Sequence, residues 1–146
     1  MNDRRKRQVL KAATPLLQPG ERIEFTGLAK TGTVSVKRQV LTSTLVGVLS
    51  AGTVIATVQP RPMYLVLTDQ RLIFLDGATT SGRPGKPLMS LERGLLAAAP
   101  LAKALLGLGL KTVLTVQGEP EGLKLVFPPA FKAGGRDLVA RLRSAA

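Results

Sequence analysis

The clearest pattern of apolar and polar positions along the chain lies in residues 63–77, MYLVLTDQRLIFLDG. Two apolar runs of strand character are separated there by a short polar turn at Thr68, Asp69, Gln70 and Arg71. Paired runs of this kind predict two antiparallel strands of a small sheet. An Asp at the start of such a turn can accept hydrogen bonds from nearby backbone amides. The Arg that leaves the turn is expected to keep its charge in solvent.

Hydrophobic periodicity and turn residues divide the rest of the chain into further elements. The predicted helices span residues 3–17 and a segment that starts after Gly134 and Gly135. Besides the hairpin, the predicted strands span residues 21–30, 33–40, 88–96, 110–117 and 123–127. Residues 77–87 and 118–122 are predicted as loops because they are rich in Gly and Pro, and residues 97–109 as a short helix or irregular connection.

Three short motifs carry a resemblance to a known family. The turn and the residue after it read T-D-Q-R-L between two apolar strands, and residues 15–23, PLLQPGERI, combine a leucine-rich helix end with a P-G-E turn. Residues 123–128, LKLVFP, precede a polar and apolar segment that reaches Arg143. Together these motifs resemble the bacterial pleckstrin-homology-like and GRAM-like domains, over about three quarters of the chain.

This resemblance implies a mainly β fold with flanking helices, of the α+β class, in which an antiparallel sheet or barrel is closed by a C-terminal helix. The length of 146 residues and the apolar content of 45% agree with one domain over residues 1–146. Within it, residues 1–18 are predicted as a basic N-terminal helix and residues 40–58 as an apolar insertion. Domains of this fold bind lipids or peptides or form oligomer contacts, so the resemblance implies a binding function but does not identify the ligand.

The insertion, VLTSTLVGVLSAGTVIATV, is uncharged and lies between Lys37 and Arg38 on one side and Arg61 on the other. A membrane span needs about 20 apolar residues, which this run almost supplies. A single crossing would, however, place strands of one sheet on opposite sides of the bilayer. Packing within the fold or at an oligomer interface, shallow membrane contact and, least favoured, a true span remain open. The candidates for an apolar interface are Leu45, Val46, Val48, Leu49, Val54 and Ile55.

Positive charge is unevenly distributed along the chain. The net charge is +12, and no acidic residue occurs between Phe25 and Thr68. A cationic face attracts phospholipid headgroups, nucleic acid or acidic proteins, although it also serves solubility alone. The candidates for anion or lipid contact are Arg4, Arg5, Lys6, Arg7, Lys37, Arg38, Arg61, Arg83 and Lys86.

The inventory of reactive side chains argues against catalysis. The chain has no His and no Cys, so the usual imidazole base, thiolate nucleophile and zinc ligands are missing from its sequence. We therefore expect no enzyme activity, no cofactor and no metal site. Residues 82–86, GRPGK, lack the spacing of a P-loop, but their amides and charges suit contact with an anion. A charged, mobile loop that serves solubility is the favoured interpretation, and anion contact is the alternative.

The leading hypothesis is a non-enzymatic binding module that associates with an anionic membrane surface or a membrane-bound partner. The alternative is a protein-interaction or self-assembly subunit, such as a homo-oligomer, that uses residues 40–58. A weak, non-specific nucleic-acid binder ranks last, because only 3% of the residues are aromatic and few could stack on bases. The absence of Cys and of a secretory signal favours a cytoplasmic protein, or one peripheral to the inner face of the membrane.

Overall fold

The computed structural model describes residues 1–35 and 59–144. In these residues a first helix, α1, spans Asp3–Ala13 and a last helix, α2, spans Lys132–Ser144. Eight strands lie between them: β1 Ile23–Ser35, β2 Arg61–Thr68, β3 Arg71–Asp76, β4 Pro87–Glu92, β5 Leu96–Ala98, β6 Ala102–Ala104, β7 Gly109–Val116 and β8 Glu121–Phe127. This arrangement confirms the predicted α+β class.

The strands form one antiparallel sheet in the order β4-β3-β2-β1-β8-β7-β5, and β6 pairs with β7 beside β5. The long strand β1 joins the two halves of the sheet, because its first part pairs with β2 and its second part with β8. Lys30, where the two parts overlap, pairs with Pro62 on one side and with Val126 on the other. β1 is therefore hydrogen-bonded to both the β2–β4 half and the β5–β8 half of the sheet.

The inner face of the curved sheet forms the main core. Met63, Leu65 and Leu67 of β2 are completely buried there. Leu138 and Leu142 of α2 belong to the same cluster, so the C-terminal helix closes one side of the sheet as predicted. The core is largely aliphatic, as the low aromatic content requires.

Helix α1 covers the outer face of β2 and β3. Tyr64 and Val66, which alternate along β2 with the inner residues, pack with Val9 and Ala13 of the helix. Both faces of this hairpin are thus buried, and strands buried on both faces read as continuous apolar runs. This explains why Tyr64 and Val66 are as hydrophobic as their neighbours that point inward.

Two element boundaries differ from the prediction for local steric reasons. The helix predicted over residues 3–17 ends at Ala13 and continues as a 3₁₀ turn over Thr14–Leu16, since Pro15 has no N–H to extend the α-helical ladder. The strands predicted over 21–30 and 33–40 form a single strand as far as Ser35. Gly32 does not break it: a Cβ there would lie 2.9 Å from Cγ of Pro60, so the glycine permits close approach.

The connection predicted over residues 97–109 contains strand structure. Ala98 pairs with Leu114 and Ala102 pairs with Lys111, so both short strands align along β7. Their alanine-rich sequence has no strand preference of its own. Pairing with the longer strand therefore decides the conformation.

The last helix starts before its two glycines, at Lys132, and not after them as predicted. A Cβ on Gly135 would lie 2.7 Å from Cδ2 of Phe127, whereas a Cβ on Gly134 would approach the ring of Phe25 only to 3.6 Å. Gly135 therefore lets α2 lie directly against the aromatic ring. This packing stabilises the helical conformation at Gly135, although glycine has a poor helix propensity.

A buried ion pair joins the segment before β1 to the β2–β3 turn. Nε of Arg71 donates to Oε2 of Glu21 at 2.9 Å and Nη2 donates to Oε1 at 3.0 Å. The side chain of Glu21 is 0% exposed. The prediction that Arg71 keeps its charge in solvent is therefore wrong, because its partner lies 50 residues earlier in the chain.

Neighbouring groups complete the coordination of this carboxylate. The Thr68 hydroxyl donates to Oε2 of Glu21 at 2.6 Å, and the N–H of Gln18 donates to Oε1 at 2.9 Å. Asp69 accepts a hydrogen bond from the N–H of Arg22 at 3.1 Å, so its donor is a backbone amide 47 residues earlier in the chain and not a nearby one as predicted. Both polar ends of the turn are thus attached to the segment that leads into β1.

The hydrogen bonds from Arg71 lower the pKa of Glu21 from 4.5 to about 2, against the opposing effect of burial, and Thr68 and Gln18 add to the lowering. Because the folded pKa lies below the ordinary value, the carboxylate stabilises the fold fully above pH 4.5. This contribution is lost as the pH falls toward 2.

We expect Glu21→Gln to lower the free energy of unfolding by about 2–3 kcal/mol, because it leaves Arg71 without its buried partner. The stability of the variant should also decline much less than that of the unsubstituted protein between pH 4.5 and 2. Urea unfolding at several pH values measures both effects. The control is Asp137→Asn, which removes an exposed i,i+4 pair with Arg141 and should cost less than about 0.5 kcal/mol. Equal losses in the two variants would contradict this account.

The two glycines of α2 provide a matched pair of substitutions. Gly135→Ala should destabilise the protein by about 1–2 kcal/mol, because the clash with Phe127 outweighs the gain in helix propensity. Gly134→Ala should be neutral or stabilise by up to about 1 kcal/mol, since its new methyl group meets Phe25 at ordinary contact distance. Thermal unfolding measures both. Stabilisation by the alanine at 135 would show that the close helix contact is absent.

Candidate functional site

The loop between β3 and β4, residues 77–86, is held closed at its base. The N–H of Gly85 donates to the Asp76 carbonyl at 2.7 Å, and the N–H of Asp76 donates to the Lys86 carbonyl at 2.9 Å. Within the loop, the Thr79 hydroxyl donates to the carbonyl of Arg83 at 2.7 Å. These bonds fix the backbone that carries Arg83.

The N-terminal end of α1 lies against this loop. The Tyr64 hydroxyl, beneath the helix, donates to the Gly82 carbonyl at 2.6 Å. Gly82 has a φ of +74°, and a Cβ on it would lie 3.3 Å from Nη2 of Arg5. Burial raises the pKa of Tyr64, with Arg5 acting in the opposite direction, so the phenol stays protonated and continues to donate. Glycine at this position thus lets helix and loop approach each other closely.

A polar pocket of about 350 Å³ opens where the helix and the loop meet. It is lined by Asn2, Arg4, Arg5, Gln8, Ser81 and Arg83. Asn2 caps the helix by accepting from the N–H of Arg5 at 2.8 Å, and Nη1 of Arg5 donates to Oε1 of Gln8 at 2.7 Å. The structure thus brings together two basic groups that are about 80 residues apart in sequence, a separation that short-range patterns do not bridge.

The arginines of the protein differ in whether a carboxylate neutralises them. Arg61 pairs with Asp76 at 2.8 Å, and Arg93 pairs with Glu24 at 2.9 Å. Over residues 1–35 and 59–144, no carboxylate lies within ion-pair distance of the three arginines of the pocket. Those three are Arg4, Arg5 and Arg83. The paired arginines support the fold, whereas the charge of the pocket is open to an external anion.

The other predicted contact residues lie apart from the pocket. Lys6 and Arg7 are exposed on α1 without lining it, and Lys86 is exposed at the end of the loop. Arg61 is occupied by Asp76. The pocket also includes three polar residues that the sequence did not mark, since nothing in a lone Asn, Gln or Ser signals proximity to a distant loop. These are Asn2, Gln8 and Ser81.

Several predicted residues lie outside the described part of the chain. Among the anion-contact candidates these are Lys37 and Arg38. The same applies to the insertion at residues 40–58 and to all of its apolar candidates, Leu45, Val46, Val48, Leu49, Val54 and Ile55. Among the residues that the structure does describe, no helix combines the length and the apolar character needed to cross a bilayer.

The aromatic rings of the described residues are mostly inside the fold. Phe74 and Phe127 are completely buried, while Tyr64 and Phe25 are nearly so. Tyr64, Phe74 and Phe127 therefore belong to the core. A basic surface without exposed rings can attract phosphate groups but offers little for bases to stack on.

An exposed apolar turn between β6 and β7 was not predicted. Leu106 is fully exposed, and Leu105 and Leu108 are 51% and 63% exposed. We call these three residues the leucine tip. Leu105 and Leu106 have φ values of 53° and 57°, in the left-handed region that leucine rarely adopts. The sequence signal that could have revealed it is the run L-L-G-L between two strand-like segments, where no helical periodicity continues.

The left-handed backbone at the leucine tip predicts a stability gain on substitution. Leu106→Gly should raise the free energy of unfolding by about 1 kcal/mol, because glycine removes the cost of a positive φ and the exposed side chain loses no packing. Urea unfolding gives the value. Leu110→Gly, at a partly buried position of β7, is the control and should destabilise. A loss of stability at position 106 would contradict the left-handed geometry.

No protein-family model and no curated protein matches the chain. Among solved structures, the Vps36 N-terminal PH domain is similar, with a TM-score of 0.50 and 20% sequence identity over 92% of this chain and 85% of that one. Identity at this level shows the fold alone, and the bacterial GRAM-like character stays a prediction. The order of strands, the closing C-terminal helix and this similarity together show that the chain has a pleckstrin-homology-like fold.

Proposed function

We propose that the protein is a non-enzymatic binding module that associates with anionic membrane surfaces through the pocket between α1 and the β3–β4 loop. The observation that supports this most directly is the convergence on one pocket of Arg4, Arg5 and Arg83, none of which has a carboxylate partner among the described residues. Guanidinium groups bind phosphate and carboxylate oxygens by charge-assisted, often bidentate hydrogen bonds. The chemistry of the pocket therefore suits a phosphate-bearing surface.

The position of the pocket at a helix N-terminus strengthens its attraction for anions. Unpaired N–H groups and the helix dipole both favour negative charge there. The same dipole disfavours the basic residues of the first turns, so Arg4 and Arg5 stand where they contribute least to the stability of α1. An external anion near Arg4 and Arg5 would relieve this repulsion.

The absence of His and Cys from the sequence supports a role in binding and not in catalysis. We also propose a cytoplasmic location, peripheral to the inner face of the membrane when the protein is bound. The alternative, a protein-interaction or self-assembly subunit, depends on residues 40–58, which lie outside the described residues. A single chain of residues 1–146 acting as one domain remains part of the proposal.

Co-sedimentation with vesicles tests the proposed function. The full chain should bind vesicles of phosphatidylcholine with phosphatidylserine, and bind phosphatidylcholine alone far more weakly. Each basic residue near an anionic surface contributes about 1 kcal/mol, so the combined change Arg4→Ser, Arg5→Ser and Arg83→Ser should weaken binding at least about tenfold. Added salt should weaken the binding of the unsubstituted chain.

The matched control removes the same charge from α2, on the other side of the sheet, by Lys132→Ser, Arg136→Ser and Arg143→Ser. This variant should lose less than about threefold in binding, since its charges lie away from the pocket. Equal losses in both variants would mean that net charge alone attracts the protein. Equal binding of anionic and neutral vesicles at low salt would overturn the proposal.

A further inference from the structure

The leucine tip is convex and has no covering element in the described residues. The N–H of Leu108 donates to the Leu105 carbonyl at 3.1 Å, which closes a left-handed turn that also contains Gly107. Leu106 stands at its apex with its whole side chain in solvent. Glycine would suit this backbone better. Leucine at position 106 therefore lowers the stability of the folded chain, and its exposed side chain makes no packing contact that offsets the loss.

A row of lysines lies beside the tip on the outer face of the sheet. Lys111 pairs with Val126, and Val126 pairs with Lys30, so the two lysines lie in one row on either side of a valine. Neighbouring strands are about 4.8 Å apart, which places the Cα atoms of these two lysines roughly 10 Å from each other. Lys124, two residues before Val126 on β8, is exposed on the same face, whereas Lys103 of β6 pairs with Leu110 and is exposed on the other face of the sheet.

An apolar groove connects the lysines with the tip. It has a volume of about 230 Å³, and Leu105 and Val126 line it together with Lys30 and Lys124. No acidic residue occurs between Glu92 and Glu119, so the whole β5–β7 segment is neutral or cationic. A projecting apolar turn, an adjacent apolar groove and a basic rim therefore lie side by side.

The geometry points to the leucine tip as a membrane-insertion turn, whose leucines enter the interface of an anionic bilayer while the adjacent lysines meet the headgroups. This inference rests on the proposed function and adds a second contact of a different kind. Charge complementarity selects the occupant, because both ionisable side chains that line the groove in the described residues, Lys30 and Lys124, are ammonium groups and the apolar apex projects outward. A groove-binding peptide would use the concave part alone and would leave Leu106 in water.

An introduced tryptophan can report on insertion without background fluorescence from other tryptophans, because the natural chain contains none. Leu106→Trp places the reporter at the apex. Gln117→Trp places the control in the exposed turn at the far end of β7, roughly 25 Å away along the strand. With mixed phosphatidylcholine and phosphatidylserine vesicles, fluorescence at 106 should shift to the blue and be quenched by brominated lipid, whereas fluorescence at 117 should change little.

A second variant measures how much the apex contributes. Leu106→Ser leaves the fold intact because the side chain is fully exposed, and it should weaken binding to the anionic vesicles by roughly three- to tenfold. Unlike the removal of charge, this loss should persist at high salt, since burial of apolar surface is not screened. A blue shift in the Leu106→Trp variant together with a salt-resistant loss of binding in the Leu106→Ser variant would support insertion.

The remaining outcomes separate the two proposals. If the unsubstituted chain sediments with anionic vesicles but the fluorescence of the Leu106→Trp variant shows no shift, the insertion is overturned and the proposed function stands. If the chain does not sediment with them at all, both fail. A blue shift that appears on raising the protein concentration without vesicles would identify the tip as a contact between copies of the chain, and would also overturn the inference.

Discussion

The buried ion pair between Glu21 and Arg71 is the constraint on which the rest of the structure depends. It ties the segment after α1 to the β2–β3 turn, and so fixes where the helix leaves the sheet. Arg71 also donates to the carbonyl of Leu16 at the end of the helical segment. With this end held, α1 lies along the outer face of β2 and β3, and its other end reaches the loop at Gly82. The basic pocket exists because both ends of the helix are positioned.

The two proposed membrane contacts lie along one face of the sheet. Tyr64, which meets the loop beside the pocket, is two residues from Pro62, and Pro62 pairs with Lys30 of the lysine row. Lys30 shares its strand face with Leu28, which packs beneath α1. The cover provided by the helix therefore ends where the exposed lysines begin. A single bilayer surface can meet the arginine pocket through charge and the leucine tip through apolar burial.

Local patterns could predict the hairpin, the last strand and both terminal helices, because each depends on nearby residues. They could not identify the partner of Arg71, since the pairing with Glu21 arises only when the chain is folded. The short strands around Ala98 form by pairing with β7 and against the preferences of their own residues. The arginines of the pocket, Arg4 and Arg5 from α1 and Arg83 from the loop, were all predicted as contact candidates. Their proximity could not be predicted, because it depends on where the whole helix lies on the sheet. The leucine tip was missed because hydropathy alone assigns leucines to the interior.

The central claim is that one face of the fold, from the arginine pocket to the leucine tip, meets an anionic membrane. Hydrogen–deuterium exchange of the full chain, with and without mixed phosphatidylcholine and phosphatidylserine vesicles, tests it most directly. The account predicts slower exchange in residues 2–8, 79–86 and 103–111, with no change in the β2–β3 turn around Gln70. Protection of the β2–β3 turn alone, or no protection on vesicle binding, would contradict it.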